Sequence, residues 1–128
     1  MNNPQTILYV EDDDLVFNIY HKRLQAAGYN VVPARDGIEA IKQLSIVKPD
    51  LVLLDLLLPK FSGDEVLQYI RANKNFAAIP VIVLSTNSID DAAHEHLLES
   101  ASRRILKSLC TPAILLTAVQ EVLAENTP

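Results

Sequence analysis

Five short runs of mostly apolar, β-forming residues constrain the fold of this chain more than any other feature of its sequence. Their starts lie about 20–30 residues apart, which leaves room for a crossover helix between successive strands. Three of the runs are almost continuously apolar, as expected for parallel strands that are covered on both faces. The runs are Ile7–Val10, Asn30–Ala34, Leu51–Leu54, Val81–Leu84 and Arg104–Leu106.

Segments with helical periodicity follow the runs, and each begins at residues suited to helix capping. Gly28 provides a stop for the first segment, and the fourth has the weakest apolar stripe. The predicted starts are Asp13 or Asp14, Asp36-Gly37, Ser62-Gly63-Asp64, Ser88 or Asp90, and Thr111-Pro112. The side chains predicted to face inward are Val16, Ile19, Tyr20, Leu24 and Ala27; Ile38, Ile41 and Leu44; Val66, Leu67 and Ile70; and Leu115, Leu116, Val119 and Val122.

The predicted strands and helices therefore form five βα units, (βα)5, which is an α/β architecture. Right-handed crossovers leave few topologies for it, and the leading one is a doubly wound open parallel sheet of strand order 2-1-3-4-5. A closed barrel of this kind needs eight such units, so it is excluded. The length of 128 residues fits one domain, residues 1–128.

The composition excludes several functional classes. The net charge of −5 disfavours a nucleic-acid binder, which gains affinity by neutralising phosphates with Lys and Arg. The single cysteine, Cys110, excludes an intramolecular disulfide and suits a reducing compartment. No signal-peptide pattern is present, and the longest apolar run, Leu51–Pro59, is too short to span a bilayer. We therefore expect a cytoplasmic domain with no direct nucleic-acid contact and no membrane insertion.

Polar side chains follow the strands that are neighbours in this topology. Glu11 and Asp12 follow the first run, Asp55 the third, Ser85 the fourth and Lys107 the fifth. The carboxyl ends of parallel strands meet at one edge of a sheet, where open α/β proteins bind their ligands. Carboxylates that converge there repel one another unless their pKa values shift or a cation binds between them. We therefore expect these five side chains to form one site.

Asp55 carries the chemistry of that site. A lone acid inside a Leu-rich apolar stretch is costly unless it is partnered or functional. Oxygen ligands with access to water suit Mg²⁺. A carboxylate, a metal, a hydroxyl and an ammonium group together can receive a phosphoryl group, with the carboxylate as nucleophile.

The residues at these strand ends resemble the receiver domains of two-component response regulators, over essentially the whole chain. Any one of the matching pieces is weak evidence, but four in this order and at these spacings are highly specific. The resemblance implies a flavodoxin-like receiver fold of the single-domain type. The pieces are Ile7-Leu8-Tyr9-Val10-Glu11-Asp12-Asp13; Pro49-Asp50-Leu51-Val52-Leu53-Leu54-Asp55 with Pro59 and Gly63 after it; Pro80-Val81-Ile82-Val83-Leu84-Ser85; and Lys107.

The resemblance implies a role for each of these side chains. Asp55 would be the phosphoacceptor in a reaction that depends on Mg²⁺ or Mn²⁺. Ser85 would donate a hydrogen bond to a phosphoryl oxygen, and Lys107 would pair with the phosphoryl group. The protein ligands of the metal would be Asp12, Asp55, Glu11 through a bound water, and the backbone carbonyl of Leu57.

The resemblance also implies partners. The donor would be a phosphohistidine on a sensor histidine kinase or a histidine phosphotransfer protein, and the receiver itself would catalyse transfer and later slow dephosphorylation. Leu57 and Asn87 flank the approach to Asp55 and are expected to tune that hydrolysis. Output would pass to a downstream protein through the face of the fourth helix, fifth strand and fifth helix. Because residues 1–128 hold no output domain, output would use protein contact or phosphorelay, or the chain would belong to a longer regulator.

Two positions depart from the family pattern and leave an alternative open. Ser108 follows Lys107 where the family has proline after a cis peptide bond, and a cis bond before a non-proline residue costs about 2.5–4 kcal/mol. Arg104 stands where the family has its switch aromatic. The alternative is a pseudo-receiver, the same fold used as a binding module that is not phosphorylated.

Overall fold

In the computed structural model, residues 3–58, 60–85 and 97–126 are described. The strands are β1 Thr6–Val10, β2 Asn30–Ala34, β3 Leu51–Asp55, β4 Val81–Ser85 and β5 Arg103–Leu106. They form one parallel sheet in the order β2-β1-β3-β4-β5, so the predicted doubly wound topology is confirmed. β3 and β4 each run one residue further than predicted, and both therefore end on a polar residue, Asp55 or Ser85.

Four helices and one 3₁₀ turn lie wholly within the same ranges. They are α1 Asp14–Ala26, α2 Gly37–Val47, α3 Gly63–Ala72, the 3₁₀ turn Lys107–Leu109, and α4 Pro112–Glu125. The predicted fourth helix, with its starts at Ser88 or Asp90, falls mainly on residues 86–96, which lie outside the described residues; Leu97 and Leu98 at its end are described and helical. α4 therefore corresponds to the predicted fifth helix. Every helix in the described ranges falls short of the length and apolarity that a bilayer span requires.

Each described helix begins at a side chain that accepts a hydrogen bond from the first turn. Asp13, and not Asp14, caps α1, because its carboxylate accepts two N–H groups of that turn. At α3, Glu65 reaches back to the N–H of Ser62 and completes a capping box. These caps satisfy N–H groups that otherwise lack partners, and they fix where the helices begin. The other predicted caps are also confirmed: Asp36 for α2, Ser62 for α3 and Thr111 for α4.

The sheet separates two hydrophobic layers. Because successive side chains of a strand point to opposite faces, Ile7 and Tyr9 of β1 pack toward α1 and α4, whereas Leu8 and Val10 pack toward α2 and α3. All four are fully buried, which explains why the central runs are apolar throughout. The buried polar and charged residues in the described ranges stand at the carboxyl ends of strands: Glu11, Asp55 and Ser85.

Three residues predicted to face inward are exposed: Ile19, Ala27 and Ile38. In α1, Tyr20 and Leu24 pack on the core as predicted, but Phe17 and not Ile19 completes the buried face, at a spacing of three or four residues. Ala27 is the C-cap that follows this helix. In α2, Ala40 and Leu44 supply the buried contacts instead of Ile38. Helical periodicity predicts an apolar stripe that covers about a third of the helix circumference. The packing of the helix on the sheet decides which edge of that stripe is buried.

Gly63, at the start of α3, lies against the backbone of Asp55 and Leu56. A Cβ at this position would overlap the Cα of Leu56 and stand 2.5 Å from the carbonyl oxygen of Asp55, so the backbone would have to move. We expect Gly63→Ala to lower the free energy of unfolding by roughly 1–3 kcal/mol through overpacking. Urea unfolding measures this, with Gln68→Ala on the exposed side of α3 as a control expected within about 0.5 kcal/mol of wild type. Equal stability of the two variants would contradict this close packing.

Candidate functional site

The carboxyl edge of the sheet brings four strand ends together. Glu11 follows β1, Asp55 ends β3, Ser85 ends β4 and Lys107 follows β5. In the observed order, β1, β3, β4 and β5 lie side by side, so these residues share one edge. The edge forms because each strand is parallel to its neighbours and is followed by a crossover that returns the chain to the opposite edge.

Three carboxylates meet at this edge. One oxygen each from Glu11, Asp12 and Asp55 lies within 4.8 Å of the other two. Asp55 is 1% exposed and Glu11 4% exposed, whereas Asp12 is open to solvent. At an effective dielectric of about 20, two carboxylates about 4 Å apart repel by roughly 4 kcal/mol. This all-oxygen set, buried on one side and wet on the other, fits a hard divalent cation such as Mg²⁺ or Mn²⁺ that keeps several of its waters.

Lys107 supplies positive charge to the same cluster. Its Nζ donates a hydrogen bond to Asp55 Oδ2 at 2.7 Å and lies 3.6 Å from Glu11 Oε1. Burial lowers the pKa of Lys107, but the hydrogen bond and the charge of Asp55, with Glu11 in addition, outweigh burial and hold that pKa above its ordinary value. The Lys107–Ser108 peptide bond is trans, as are all the described peptide bonds. Lys107 reaches Asp55 with this trans bond, so serine in place of proline does not turn the side chain away.

Two donors fix the orientation of the Asp55 carboxylate. Oδ2 accepts the hydrogen bond from Lys107, and Oδ1 accepts the backbone N–H of Leu57 at 3.0 Å. The Leu57 backbone therefore lies beside the carboxylate, while its side chain is 70% exposed. A carboxylate with both oxygens held presents a defined geometry to an incoming group.

The surroundings of Glu11 change its titration. Its Oε2 accepts the N–H of Asp13 at 3.2 Å. Burial, and then the charge of the neighbouring Asp55, raise the pKa of Glu11 to about 7, against the lowering effect of Lys107. Without a cation, Glu11 is therefore partly protonated near neutral pH, and a cation that binds to it displaces a proton.

Two further residues that the sequence singled out, Ser85 and Arg104, lie on the strands β4 and β5. Ser85 is 7% exposed at the end of β4, the strand next to β3. Arg104 is exposed on the edge strand β5. Two residues that the sequence singled out lie outside the described residues: Pro59 and Asn87.

The sequence did not predict two contacts next to the site. The bond from the Leu57 N–H to Asp55 is the turn that Asp side chains commonly make with the backbone two residues on, so turn chemistry could have suggested it. The Tyr20 hydroxyl donates to the carbonyl oxygen of Cys110 at 3.1 Å and joins α1 to the connection between β5 and α4. No local pattern relates residues that lie 90 positions apart.

Comparison with known proteins identifies the family. The model of the response regulator receiver domain matches residues 7–120. The chain is 33% identical over 82 residues to the polar-differentiation response regulator DivK of Brucella anthropi, a match that spans 64% of this chain and 67% of DivK. It is 38% identical over 79 residues to the alkaline phosphatase synthesis transcriptional regulatory protein PhoP of Bacillus subtilis, a match that spans 62% of this chain and only 32% of PhoP.

A solved structure gives the same result for the fold. The signal receiver domain of a signal transduction histidine kinase from Syntrophus aciditrophicus is similar with a TM-score of 0.82 at 29% identity, over 94% of this chain and 91% of that chain. The chain therefore belongs to the response regulator receiver domain family of two-component systems, as the strand-end motifs predicted. Receiver domains are phosphoacceptor signalling domains with an acidic Mg²⁺ pocket and are not conventional enzymes.

The raised pKa of Glu11 predicts how the stability of the metal-free protein depends on pH. A carboxyl whose folded-state pKa lies above its unfolded value binds more protons when folded, so its contribution to stability is lost as pH rises from about 4.5 to about 7. Glu11→Gln removes this titration. Relative to wild type, we expect the variant to gain stability of order 1 kcal/mol between about pH 5 and about pH 7.5.

Urea unfolding in EDTA at both pH values measures this gain. Glu125→Gln, at the end of α4, is the control and should follow the wild-type pH profile, because its 3.5 Å pair with Arg103 is exposed and contributes little. Parallel profiles for Glu11→Gln and wild type would show that burial beside Asp55 does not perturb Glu11.

Proposed function

We propose that the protein accepts a phosphoryl group on Asp55 from a phosphohistidine donor in a Mg²⁺-dependent reaction, and acts in the cytoplasm as a phosphorylation-controlled protein-interaction switch. One observation carries this proposal. Asp55 is a nearly fully buried carboxylate with the oxygens of Glu11 and Asp12 within 4.8 Å and the Lys107 ammonium at 2.7 Å. Membership of the receiver family supports the acceptor role in general.

The metal would be held by oxygen atoms alone. When bound, Mg²⁺ would neutralise charge on the phosphoryl oxygens during transfer. The spacing of the three carboxylates and the exposure of Asp12, which leaves space for metal-bound water, support this assignment. The residues that would hold it are Asp12, Asp55, Glu11 through a water, and Leu57 through its backbone carbonyl.

The transfer is a displacement at phosphorus. An Asp55 oxygen forms a bond to phosphorus while the bond to the donor histidine nitrogen breaks, and that nitrogen keeps the electron pair. The hydrogen bonds from Leu57 and Lys107 hold the Asp55 carboxylate in one orientation before attack. Lys107 then balances charge on the transferred group, and Ser85 donates a hydrogen bond to one of its oxygens. Water later hydrolyses the acyl phosphate.

The donor would be a sensor histidine kinase or a histidine phosphotransfer protein. A receiver domain of a histidine kinase is among the similar solved structures, which supports a partner of this kind. The downstream protein would bind the face formed by the predicted fourth helix, β5 and α4. On the described part of that face, Arg103 pairs with Glu121 at 2.6 Å and with Glu125 at 3.5 Å, so the face presents charged groups. Phosphorylation would shift the population of this face by drawing Ser85 and Lys107 toward the phosphoryl group.

A pseudo-receiver that only binds partners is the second candidate. Ser108 and Arg104 favour it, because both replace residues of the usual family pattern. The contact between Lys107 and Asp55 weighs against it, since this contact forms without the family's proline. Carboxylates that repel one another at one edge lower the stability of the fold, which argues that they are present for function. We therefore propose that Ser108 and Arg104 change how partners respond to phosphorylation and do not prevent phosphorylation of Asp55.

Incubation with Mg²⁺ and acetyl phosphate, followed by intact mass spectrometry, separates the two candidates. Wild type should gain one phosphoryl group, and Asp55→Asn should gain none, because an amide is not a competent nucleophile here. Asp50→Asn is the matched control, since Asp50 is exposed before β3 and binds the N–H of Thr6. No adduct on wild type, together with no spectral change on adding beryllofluoride, would favour the pseudo-receiver.

Leu57 and Asn87 are proposed to tune the lifetime of the acyl phosphate. The Leu57 side chain is exposed, so its truncation opens the approach to Asp55 without removing a core contact. We expect Leu57→Ala with Asn87→Ala to raise the dephosphorylation rate at least about twofold, because water reaches the site more freely. Decay of the phosphoryl adduct after removal of the donor measures this rate. Ile46→Ala, at a 74% exposed position on α2, is the control, and a rate unchanged in the double variant would remove both residues from this role.

A further inference from the structure

The 3₁₀ turn that begins at Lys107 is weakly anchored by its own residues. The turn, Lys107–Leu109, has no buried residue, and the side chain of Leu109 is 67% exposed. Position 108 is serine, so no proline ring restricts the backbone of the turn. One hydrogen bond closes the turn, from the N–H of Cys110 to the carbonyl oxygen of Lys107 at 3.2 Å. The position of Lys107 therefore depends on what holds Cys110.

Cys110 is held from the first helix. The Tyr20 hydroxyl of α1 donates a hydrogen bond to the Cys110 carbonyl oxygen at 3.1 Å. Burial, and then the contact with Cys110, raise the pKa of Tyr20 to about 12, so the hydroxyl keeps its proton at neutral pH. Both residues pack on the hydrophobic layer between the sheet and the helices α1 and α4. Tyr20 is therefore a donor whose position the core fixes.

Close packing does not hold the turn against α1. A pocket of about 250 Å³ lies between them, lined on the helix side by Val16, Ile19 and Tyr20 and on the other side by Lys107 and Cys110. This space is several times the roughly 30 Å³ of one water, so the facing side chains leave a gap. The hydrogen bond between Tyr20 and Cys110 crosses this gap, and its loss would let the turn move.

We propose that Tyr20 is a positioning residue for Lys107. The Tyr20 hydroxyl holds the carbonyl group of Cys110, and the N–H of Cys110 holds the carbonyl oxygen of Lys107. The turn then places the Lys107 ammonium group 2.7 Å from Asp55 Oδ2. Hydrogen bonds behind a functional side chain keep it in its working geometry in this way. The consequence for phosphoryl transfer rests on the proposed function, in which Lys107 balances charge on the transferred group.

Tyr20→Phe removes the hydroxyl and keeps the ring in the hydrophobic layer. In the metal-free, ¹⁵N-labelled full chain, the Cys110 amide should exchange with deuterium at least about threefold faster than in wild type, because its peptide group has lost a hydrogen bond. The Leu57 amide signal should shift as well. Its N–H donates to Asp55 Oδ1, and the other oxygen of the same carboxylate accepts from Lys107, so a displaced Lys107 changes the environment of Leu57.

Two further variants separate positioning of Lys107 from a general structural effect. In a Lys107→Met background, Tyr20→Phe should no longer shift the Leu57 amide, because the ammonium group that relays the change is absent. Tyr29→Phe is the matched control, since Tyr29 packs on the same hydrophobic layer but precedes β2 at the opposite edge of the sheet. It should leave the Leu57 amide unchanged. Equal Leu57 shifts from Tyr20→Phe in both backgrounds, or none in either, overturn the proposal.

The rate of phosphorylation measures the consequence for the proposed function. With Mg²⁺ and acetyl phosphate, Tyr20→Phe should slow formation of the Asp55 adduct at least about threefold when Lys107 is present and should not slow it further in Lys107→Met. Slowing of the same size in both backgrounds would make Tyr20 a structural residue only and overturn the proposal. If wild type forms no adduct while the Leu57 shift still depends on Lys107, the proposed function fails, but the positioning of Lys107 by Tyr20 is supported.

Discussion

Repulsion between carboxylates at the carboxyl edge of the sheet is the constraint on which the rest of this structure depends. Two of the three acids are almost completely buried, and two ionised carboxylates about 4 Å apart repel by roughly 4 kcal/mol at an effective dielectric of about 20. The described residues offset this repulsion with one ammonium group, from Lys107, and with backbone N–H groups of Asp13 and Leu57. These donors leave net negative charge at the edge. A divalent cation would offset this negative charge, whether it binds alone or together with a transferred group.

The scaffold and the site are joined by contacts at the same residues. Gly63 at the start of α3 lies against the backbone of Asp55 and Leu56, so the helix packs directly on the end of β3. The hydrogen bond between Tyr20 and Cys110 fixes α1 against the segment that follows Lys107. Small movements of either element would therefore change the geometry of the carboxylate cluster.

Local chemistry made most of the fold predictable. Helix starts at Asp36, Ser62 and Thr111 follow from capping residues, and the strand order follows from five apolar runs with room for crossovers. The shared edge of the polar strand ends follows from parallel topology alone. The exposure of Ile19 was not predictable, because packing and not periodicity decides how α1 is rotated against the sheet. Lys107 contacts Asp55 although the peptide bond after it is trans. The absence of proline at position 108 therefore does not indicate that Lys107 is turned away from the site.

The proposed function requires that one divalent cation is shared by Asp12 and Asp55 beside Lys107. Titration of ¹⁵N-labelled protein with Mn²⁺ tests this most directly, because paramagnetic broadening falls steeply with distance from the ion. If the ion is shared in this way, the amides of Asp12 and its neighbours and those following Asp55 disappear first, while the amide of Asp50, which precedes β3, stays sharp. Early broadening at Glu121 and Glu125 of α4, with sharp signals around Asp55, would contradict the account.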